Sequence, residues 1–319
     1  NTFFIAALNI LFLVVLKEGI EGYLKAYIIA NTLTAIYAIV VGKGYKSFNF
    51  SEIDKGLLAR MAKYSIVLIP NSFMWWIMNS SDRIMVSSMI SVAANGIYAV
   101  SYKLPTLVST LTTIFNQAWS YSAIREEGTA DESEYNNKIF KVLIGIVMLT
   151  GIGILTFAKP FLSVYVSKEY YIAWKYMPFL TVGCVYLTMA SFMATSYTVH
   201  KDSFGYLFSG MFGAIFNIVM NFILIPLIGV YGAAIATCIS YILVFVFRLF
   251  HTRKYIKYNI KNKEFLLGSI ILFLSAALMY VDNWSGFGLQ CFLLLVVICL
   301  FSDIWLPIVR KMFQLKRRQ

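Results

Sequence analysis

The chain has 319 residues, 60% apolar and 13% charged, with a mean hydropathy of +0.73. Soluble domains carry about 45–50% apolar and about 25% charged residues, so a single soluble core is excluded; so is disorder, which needs low hydrophobicity. At roughly 20 residues per span the length accommodates about ten transmembrane helices, whereas a membrane barrel would need alternating strands of about ten residues. The apolar stretches are continuous and longer than that, so the expected fold is all-α, a polytopic helical membrane protein.

The net charge is +12, from 27 Lys and Arg against 15 Asp and Glu. In a soluble protein this would suggest nucleic acid; in a helical membrane protein it reads as the cation bias of cytoplasmic loops, with no nucleic-acid partner. Cys184, Cys238, Cys291 and Cys299 all lie in apolar stretches without C-x-x-C spacing, and His200 and His251 are far apart in sequence. Neither a disulfide framework nor a metal or cofactor site is expected. The chain opens at Asn1 directly on an apolar run, with no basic segment or cleavage site before it. It therefore reads as the continuation of a longer protein whose earlier helices precede it, not as a signal peptide.

Ten segments follow in order. The first covers about 2–16 and the second about 23–41, after which a polar stretch over 42–61 carries Lys43, Lys46, Lys55 and Arg60. The third covers about 62–88, with a kink expected at Pro70, where the missing N–H opens the helix ladder. A turn near Asn95-Gly96 leads to the fourth, about 97–124 with Pro105 inside it, and then to an acidic loop. The fifth, about 139–158, ends before Lys159-Pro160 and a stretch of aromatic and charged residues. The sixth and seventh cover about 176–197 and 205–225, and Gly229 to Gly232 makes the next turn. The eighth is about 232–250, a basic loop spans 251–264, and the ninth and tenth cover about 265–281 and 287–308 before a basic tail.

If the chain starts inside, the inner segments (42–63, 125–141, 198–205, 248–264 and 310–318) hold 20 cations and the outer ones 5, with Arg83 and Lys103 left inside predicted spans. That asymmetry places both ends of the chain in the cytoplasm. The turns at 95–99 and 228–232 share Gly-Ile/Val-Tyr before a helix start, a weak sign of related helical hairpins.

No G-x-x-x-x-G-K-S/T, H-E-x-x-H or G-x-S-x-G arrangement occurs, and the outer loops are short, so no enzyme is expected. The informative region is 62–124. Trp75, Asn79, Asp82 and Arg83 are spaced i, i+4, i+7, i+8 and are expected to share one face. Tyr102, Thr106, Ser109, Thr113, Asn116 and Ser120 recur at steps of three, four and seven, with Lys103, Thr110 and Gln117 beside them. Ser and Thr alone would serve helix packing, but a stripe that also holds Lys103, Asn116 and Gln117 suits a hydrated groove. A charge at mid-bilayer costs about 2.5–3.5 kcal/mol on insertion scales, so it should face protein or water. Arg83 and Lys103 would then face an anionic solute, such as a pyrophosphate or an acidic sugar. Asn217 and Asn221, one turn apart in the seventh span, read as contacts between helices.

The same helices carry a family resemblance. The runs YSIVLIPNSFMWWIMNSSDR over 64–83, ANGIYAVSYKLP over 94–105, FNQAWS over 115–120 and IPLIGVYGAAIAT over 225–237 resemble bacterial oligosaccharide flippases. These form the polysaccharide transporter branch of the multidrug/oligosaccharidyl-lipid/polysaccharide exporters, and include O-antigen and capsule-unit flippases. The resemblance implies part of a 12–14-helix exporter with two six-helix lobes around a central cavity. Residues 1–61 would be the last helices of the first lobe with the inter-lobe linker, 62–250 the second lobe, and 251–319 a peripheral helix pair and basic tail. It implies flipping of an undecaprenyl-pyrophosphate-linked oligosaccharide by alternating access in the bacterial cytoplasmic membrane, with membrane lipids, a glycan polymerase and other polysaccharide assembly proteins as partners. The substrate cavity would draw on Arg83, Lys103, Asp82, Asn79, Trp75, Tyr102, Ser109, Thr113, Asn116 and Gln117. A drug/cation antiporter of the same superfamily, which would use embedded carboxylates, and a membrane glycan polymerase or glycosyltransferase, which would show a long outer loop, are the competing classes.

Overall fold

A computed structural model describes residues 1–43, 54–125, 132–260, 263–281 and 283–304. Among them there is no strand, and the chain divides into two compact units, Asn1–Lys63 and Tyr64–Gln319.

In the first unit, α1 (Thr2–Asn9) continues as a π-helical turn, Ile10–Val15, and α2 (Gly19–Val41) packs back on it. The seam is read from the sequence: Gly22, Ala26 and Ala30, spaced by four, are the buried residues of α2. Small side chains at that spacing let two helix backbones approach. A Cβ on Gly22 would stand 3.1 Å from the Phe12 Cβ.

The second unit holds α3 (Lys55–Met89, its first turns belonging to the first unit), α4 (Val92–Ser101), α5 (Pro105–Arg125) and α6 (Glu132–Tyr165). It continues with α7 (Met177–Val199), α8 (Ser203–Ile228), α9 (Val230–His251), α10 (Lys263–Leu278) and α11 (Trp284–Leu300). The central element is α7, packed against α5, α6 and α9, while α8 pairs with α9 and both α10 and α11 lie against α6. Glycines set the closest crossings: a Cβ on Gly183 would stand 3.1 Å from the Cys238 Cα, and one on Gly213 would stand 2.4 Å from Val244 Cγ2.

Among the described residues five helices are long and apolar enough to cross a membrane: Gly19–Val41, Ser133–Tyr165, Met177–Val199, Ser203–Ile228 and Val230–Lys254. Thr2–Val15, Val92–Ser101 and Trp284–Leu300 are apolar but shorter. The chain is a multi-pass helical membrane protein.

Several boundaries differ from the sequence reading. The predicted span at 97–124 is two helices: Ser91 caps α4 by accepting the Ala94 N–H at 3.1 Å, α4 stops at Ser101, and Pro105 opens α5 instead of lying inside it. Proline is favoured at a helix start because the first turn has no use for its missing N–H. Conversely, α6 and α8 run through Pro160 and Pro226, which stand near their last turns. The α8–α9 joint is a single residue, Gly229, at φ +61° and ψ −137°, a region open essentially to glycine.

Candidate functional site

The face-sharing expected for 75–83 holds only in part. Asp82 is fully buried, whereas its neighbour Arg83 is exposed. Consecutive helical positions stand about 100° apart, so the two charges leave α3 in different directions. Trp75 is half-buried on the inward side, and the Asn79 side chain lies outside the described residues.

Asp82 is the hub of a buried polar cluster. Its Oδ2 accepts from the Tyr98 hydroxyl of α4 at 2.7 Å and from Thr237 Oγ1 of α9 at 2.8 Å, with the Tyr102 hydroxyl at 3.5 Å. The cluster extends through α8: Asn217 Nδ2 donates to Thr237 Oγ1 at 3.4 Å, Ser81 Oγ donates to Asn217 Oδ1 at 2.8 Å, and Asn221 Nδ2 donates to the same oxygen at 3.0 Å. Asp82 Oδ1 is buried and accepts no hydrogen bond. An oxygen-rich site with one carboxylate oxygen unengaged can take up a proton or a small hard cation. Among the described residues no three His, Cys, Asp or Glu side chains gather as a metal site.

The two cations of the sequence reading are on the outside of the unit. Arg83 stands 5.5 Å from the Tyr102 ring centre and borders a recess of about 380 Å³ with Ile84, Ser87, Ser88 and Asn95. Lys103 is exposed in the three-residue turn between α4 and α5. The predicted stripe is rotated from its expected position: Tyr102 is buried, Ser109 and Asn116 are half-buried, and Ser120 lies among side chains outside the described residues. The exposed polar row is instead Lys103, Thr106, Thr110, Thr113 and Gln117. Burial of Val108 and Thr112 against α7 fixes this rotation, and Thr112 Oγ1 donates to Thr188 Oγ1 at 3.1 Å.

Sequence reasoning missed Arg248, which it counted among the cations of an inner loop. The residue is fully buried in α9. Its Nη1 donates to the Ala190 carbonyl at 2.8 Å and its Nε to Ser209 Oγ at 3.1 Å. The Trp75 and Tyr206 rings lie 5.0 and 5.4 Å away. The available signal was the run Val244-Phe-Val-Phe-Arg248-Leu-Phe250, in which a lone cation sits within an apolar helix. The basic loop beyond it masked that signal. Beyond the membrane-spanning segments, Asp202 caps α8 through the Gly205 N–H at 2.8 Å and accepts from Lys254 Nζ at 2.8 Å and the Tyr255 hydroxyl at 2.9 Å. Burial opposes its charge, but these three hydrogen bonds outweigh burial and hold its carboxyl below the ordinary range.

Fold and site together describe a multi-pass helical membrane protein with a buried polar cluster and a separate buried cation in its second unit. The first 121 residues match the family described as polysaccharide biosynthesis protein. The fold is similar to that of the lipid II flippase MurJ in an inward closed conformation, with a TM-score of 0.63 and 17% identity over 96% of this chain and 66% of that one. It is also similar to two transporters of the MOP superfamily, one from Pyrococcus furiosus described by the reverse polarity of its binding pocket, the other an outward-facing multidrug resistance transporter of the MATE family. Each has a TM-score of 0.50 and 21% identity over 68% of this chain and 52% of that one. An uncharacterized membrane protein of Methanocaldococcus jannaschii is 31% identical over 72 residues, 22% of this chain and 14% of that protein. The chain thus spans two thirds or less of the length of these relatives. The family match covers the first 121 of 319 residues, and the likeness to the solved structures is one of fold.

Proposed function

We infer that the chain forms part of a flippase that carries an undecaprenyl-pyrophosphate-linked oligosaccharide across the bacterial cytoplasmic membrane for surface polysaccharide synthesis, such as O-antigen, capsule or exopolysaccharide. The carrying observation is the exposed polar row that starts at Lys103, in the turn before α5, and continues along α5 through Thr106, Thr110, Thr113 and Gln117, with Arg83 exposed on α3. Both helices have the length to cross a membrane, and on α5 this polar row runs beside exposed Leu107, Leu111 and Ile114. Such a surface suits water and a sugar, and its two cations suit a pyrophosphate. Alternating access needs a group that responds to an ion gradient, and buried Asp82 with its unengaged Oδ1 is the residue we assign to coupling. Both ends of the chain are assigned to the cytoplasm on the distribution of cations.

The test is export of surface glycan in a strain lacking the endogenous flippase. Arg83→Ala and Lys103→Ala should each lower surface glycan about tenfold or more, with normal amounts of inserted protein. Normal export from both variants would overturn the assignment. The buried carboxylate also favours a second reading, a drug/cation antiporter of the same superfamily. In that case resistance to cationic drugs, and not surface glycan, would follow Asp82→Asn.

A further inference from the structure

Arg248 is a buried cation without a buried anion. Among the described residues no carboxylate lies within ion-pair distance of it. Its two engaged nitrogens donate to neutral acceptors, the Ala190 carbonyl and the Ser209 hydroxyl, and its Nη2 is buried with no hydrogen-bond partner. Aromatic rings partly compensate the charge, with Trp75 at 5.0 Å and Tyr206 at 5.4 Å. A guanidinium in a membrane-spanning helix that keeps an unused N–H is costly unless something supplies the missing acceptor.

A cavity of about 210 Å³ is lined by Asn116, Ser191, Thr195, Thr198, Tyr206 and two apolar residues, with Arg248 behind its wall and not part of it. Two features join it to the guanidinium. Tyr206 is both a wall of the cavity and one of the rings beside Arg248. Ser191, on the cavity wall, directly follows Ala190, whose carbonyl holds Nη1. Thr198 on its wall is exposed, and no carboxylate is among its lining residues.

We propose that this cavity is a subsite for a phosphate-class oxyanion, with Arg248 as its cation. Hydroxyls of Ser191, Thr195, Thr198 and Tyr206 and the Asn116 amide supply neutral donors around a tetrahedral anion, and a shift of the Tyr206 ring gives one anion oxygen access to Nη2. The planar guanidinium fork suits such an oxygen better than an ammonium would. The anion is either the phosphate of a lipid-linked headgroup or free phosphate. Assigning it to the headgroup rests on the flippase reading; the anion site itself does not.

The test uses the full chain in lipid nanodiscs at constant ionic strength, with sodium chloride as control. Inorganic pyrophosphate and farnesyl pyrophosphate are titrated while tryptophan fluorescence and the thermal midpoint are followed. The wild type should give a saturable response that chloride does not reproduce. Arg248→Gln should weaken it about tenfold or more, and Arg248→Lys less. Thr195→Val, on the cavity wall and away from the guanidinium packing, should weaken it about threefold or more, and carries the test if the Arg248 variants do not fold. Tighter binding of the prenylated probe identifies a lipid headgroup; equal affinities identify a free anion. No saturable response in the wild type, or one unchanged in Thr195→Val and in every folded Arg248 variant, overturns the proposal and leaves Arg248 as a structural tie between α7, α8 and α9. Normal export from the Arg83 and Lys103 variants would remove the flippase reading without touching this result.

Discussion

Replacing Asp82 separates the two things its carboxylate does, accept hydrogen bonds and carry charge. In Asp82→Ala the hydroxyls of Tyr98 and Thr237, at 2.7 and 2.8 Å from the carboxylate, lose their acceptor inside a fully buried cluster. Each stranded buried donor costs about 1–3 kcal/mol. The two hydroxyls lie 3.4 Å apart and can bond each other, which recovers one partner. One donor remains stranded, so the net loss is about 1–3 kcal/mol. At roughly 2–4 °C per kcal/mol for a domain of this size, the thermal midpoint should fall by about 2 °C or more. Asp82→Asn keeps an oxygen acceptor for both hydroxyls and removes a buried charge, so its cost should stay within about 1 kcal/mol. Tryptophan-detected melting in nanodiscs measures both. An Asn variant as unstable as the Ala variant would refute the reasoning, because the charge, and not the acceptor, would then be what the cluster requires. An Ala variant as stable as wild type would show that the cluster fastens nothing.

Three further substitutions test other parts of the unit. Gly229→Ala places a side chain at φ +61° and ψ −137°, which should cost about 1–3 kcal/mol in the α8–α9 hairpin, read as a lower melting midpoint; no change would mean that the joint adopts another conformation. Gly213→Val puts methyl groups where a Cβ alone would already stand 2.4 Å from Val244 Cγ2 and 2.9 Å from Met78 Sδ, so overpacking should cost about 1–3 kcal/mol, and unchanged melting would mean the helices part easily. The third is a pH effect. The folded carboxyl of Asp202 lies below its ordinary value of about 3.9, so its contribution is present above that value and is lost as pH falls through the folded pKa. The stability gap between wild type and Asp202→Asn should be constant near neutrality and close in acid below about pH 4; a gap that persists in acid would assign the effect to geometry and not to charge.

The helical, membrane-spanning character was legible because it rests on composition and segment length, which tertiary contacts do not change. Segment ends were less legible where proline was read without its position in a turn. Pro105 begins a helix, Pro160 and Pro226 stand near helix ends, and Pro70 lies deep within one. Arg83 and Lys103 were singled out because a charge in an apolar run stands out in sequence. Spacing alone could not say which way each residue turns. Asp82 and Arg83 are adjacent in sequence but differ in burial, and the α5 stripe had to be turned until Val108 and Thr112 met α7. Asn217 and Asn221 were read as contacts between helices, and they do bond within the unit, but nothing in their spacing pointed to Asp82 as the hub of the same cluster.

The inner face of α3 shows how the unit carries charge on both sides of one helix. Trp75, Met78 and Asp82, at i, i+3 and i+7, meet in turn the Arg248 guanidinium of α9, the Gly213–Val244 contact of α8 and α9, and Thr237 of α9. Going up α3 from Trp75 to Asp82 corresponds to going back along α9 from Arg248 to Thr237, so the two helices run antiparallel here. Seven residues of α3 cover about 10 Å, and eleven of α9 about 16 Å. One end of this contact is cationic and the other acidic, and the two charges are too far apart to pair. Each is instead held by neutral groups and keeps one unused polar atom, Nη2 of Arg248 and Oδ1 of Asp82. A unit needing only stability would do better with apolar side chains at both positions, since isolated buried charges are costly. Asp82 of α3, bonded to Thr237 of α9, and Arg248 of α9, beside Trp75 of α3, thus join the two helices at two polar points.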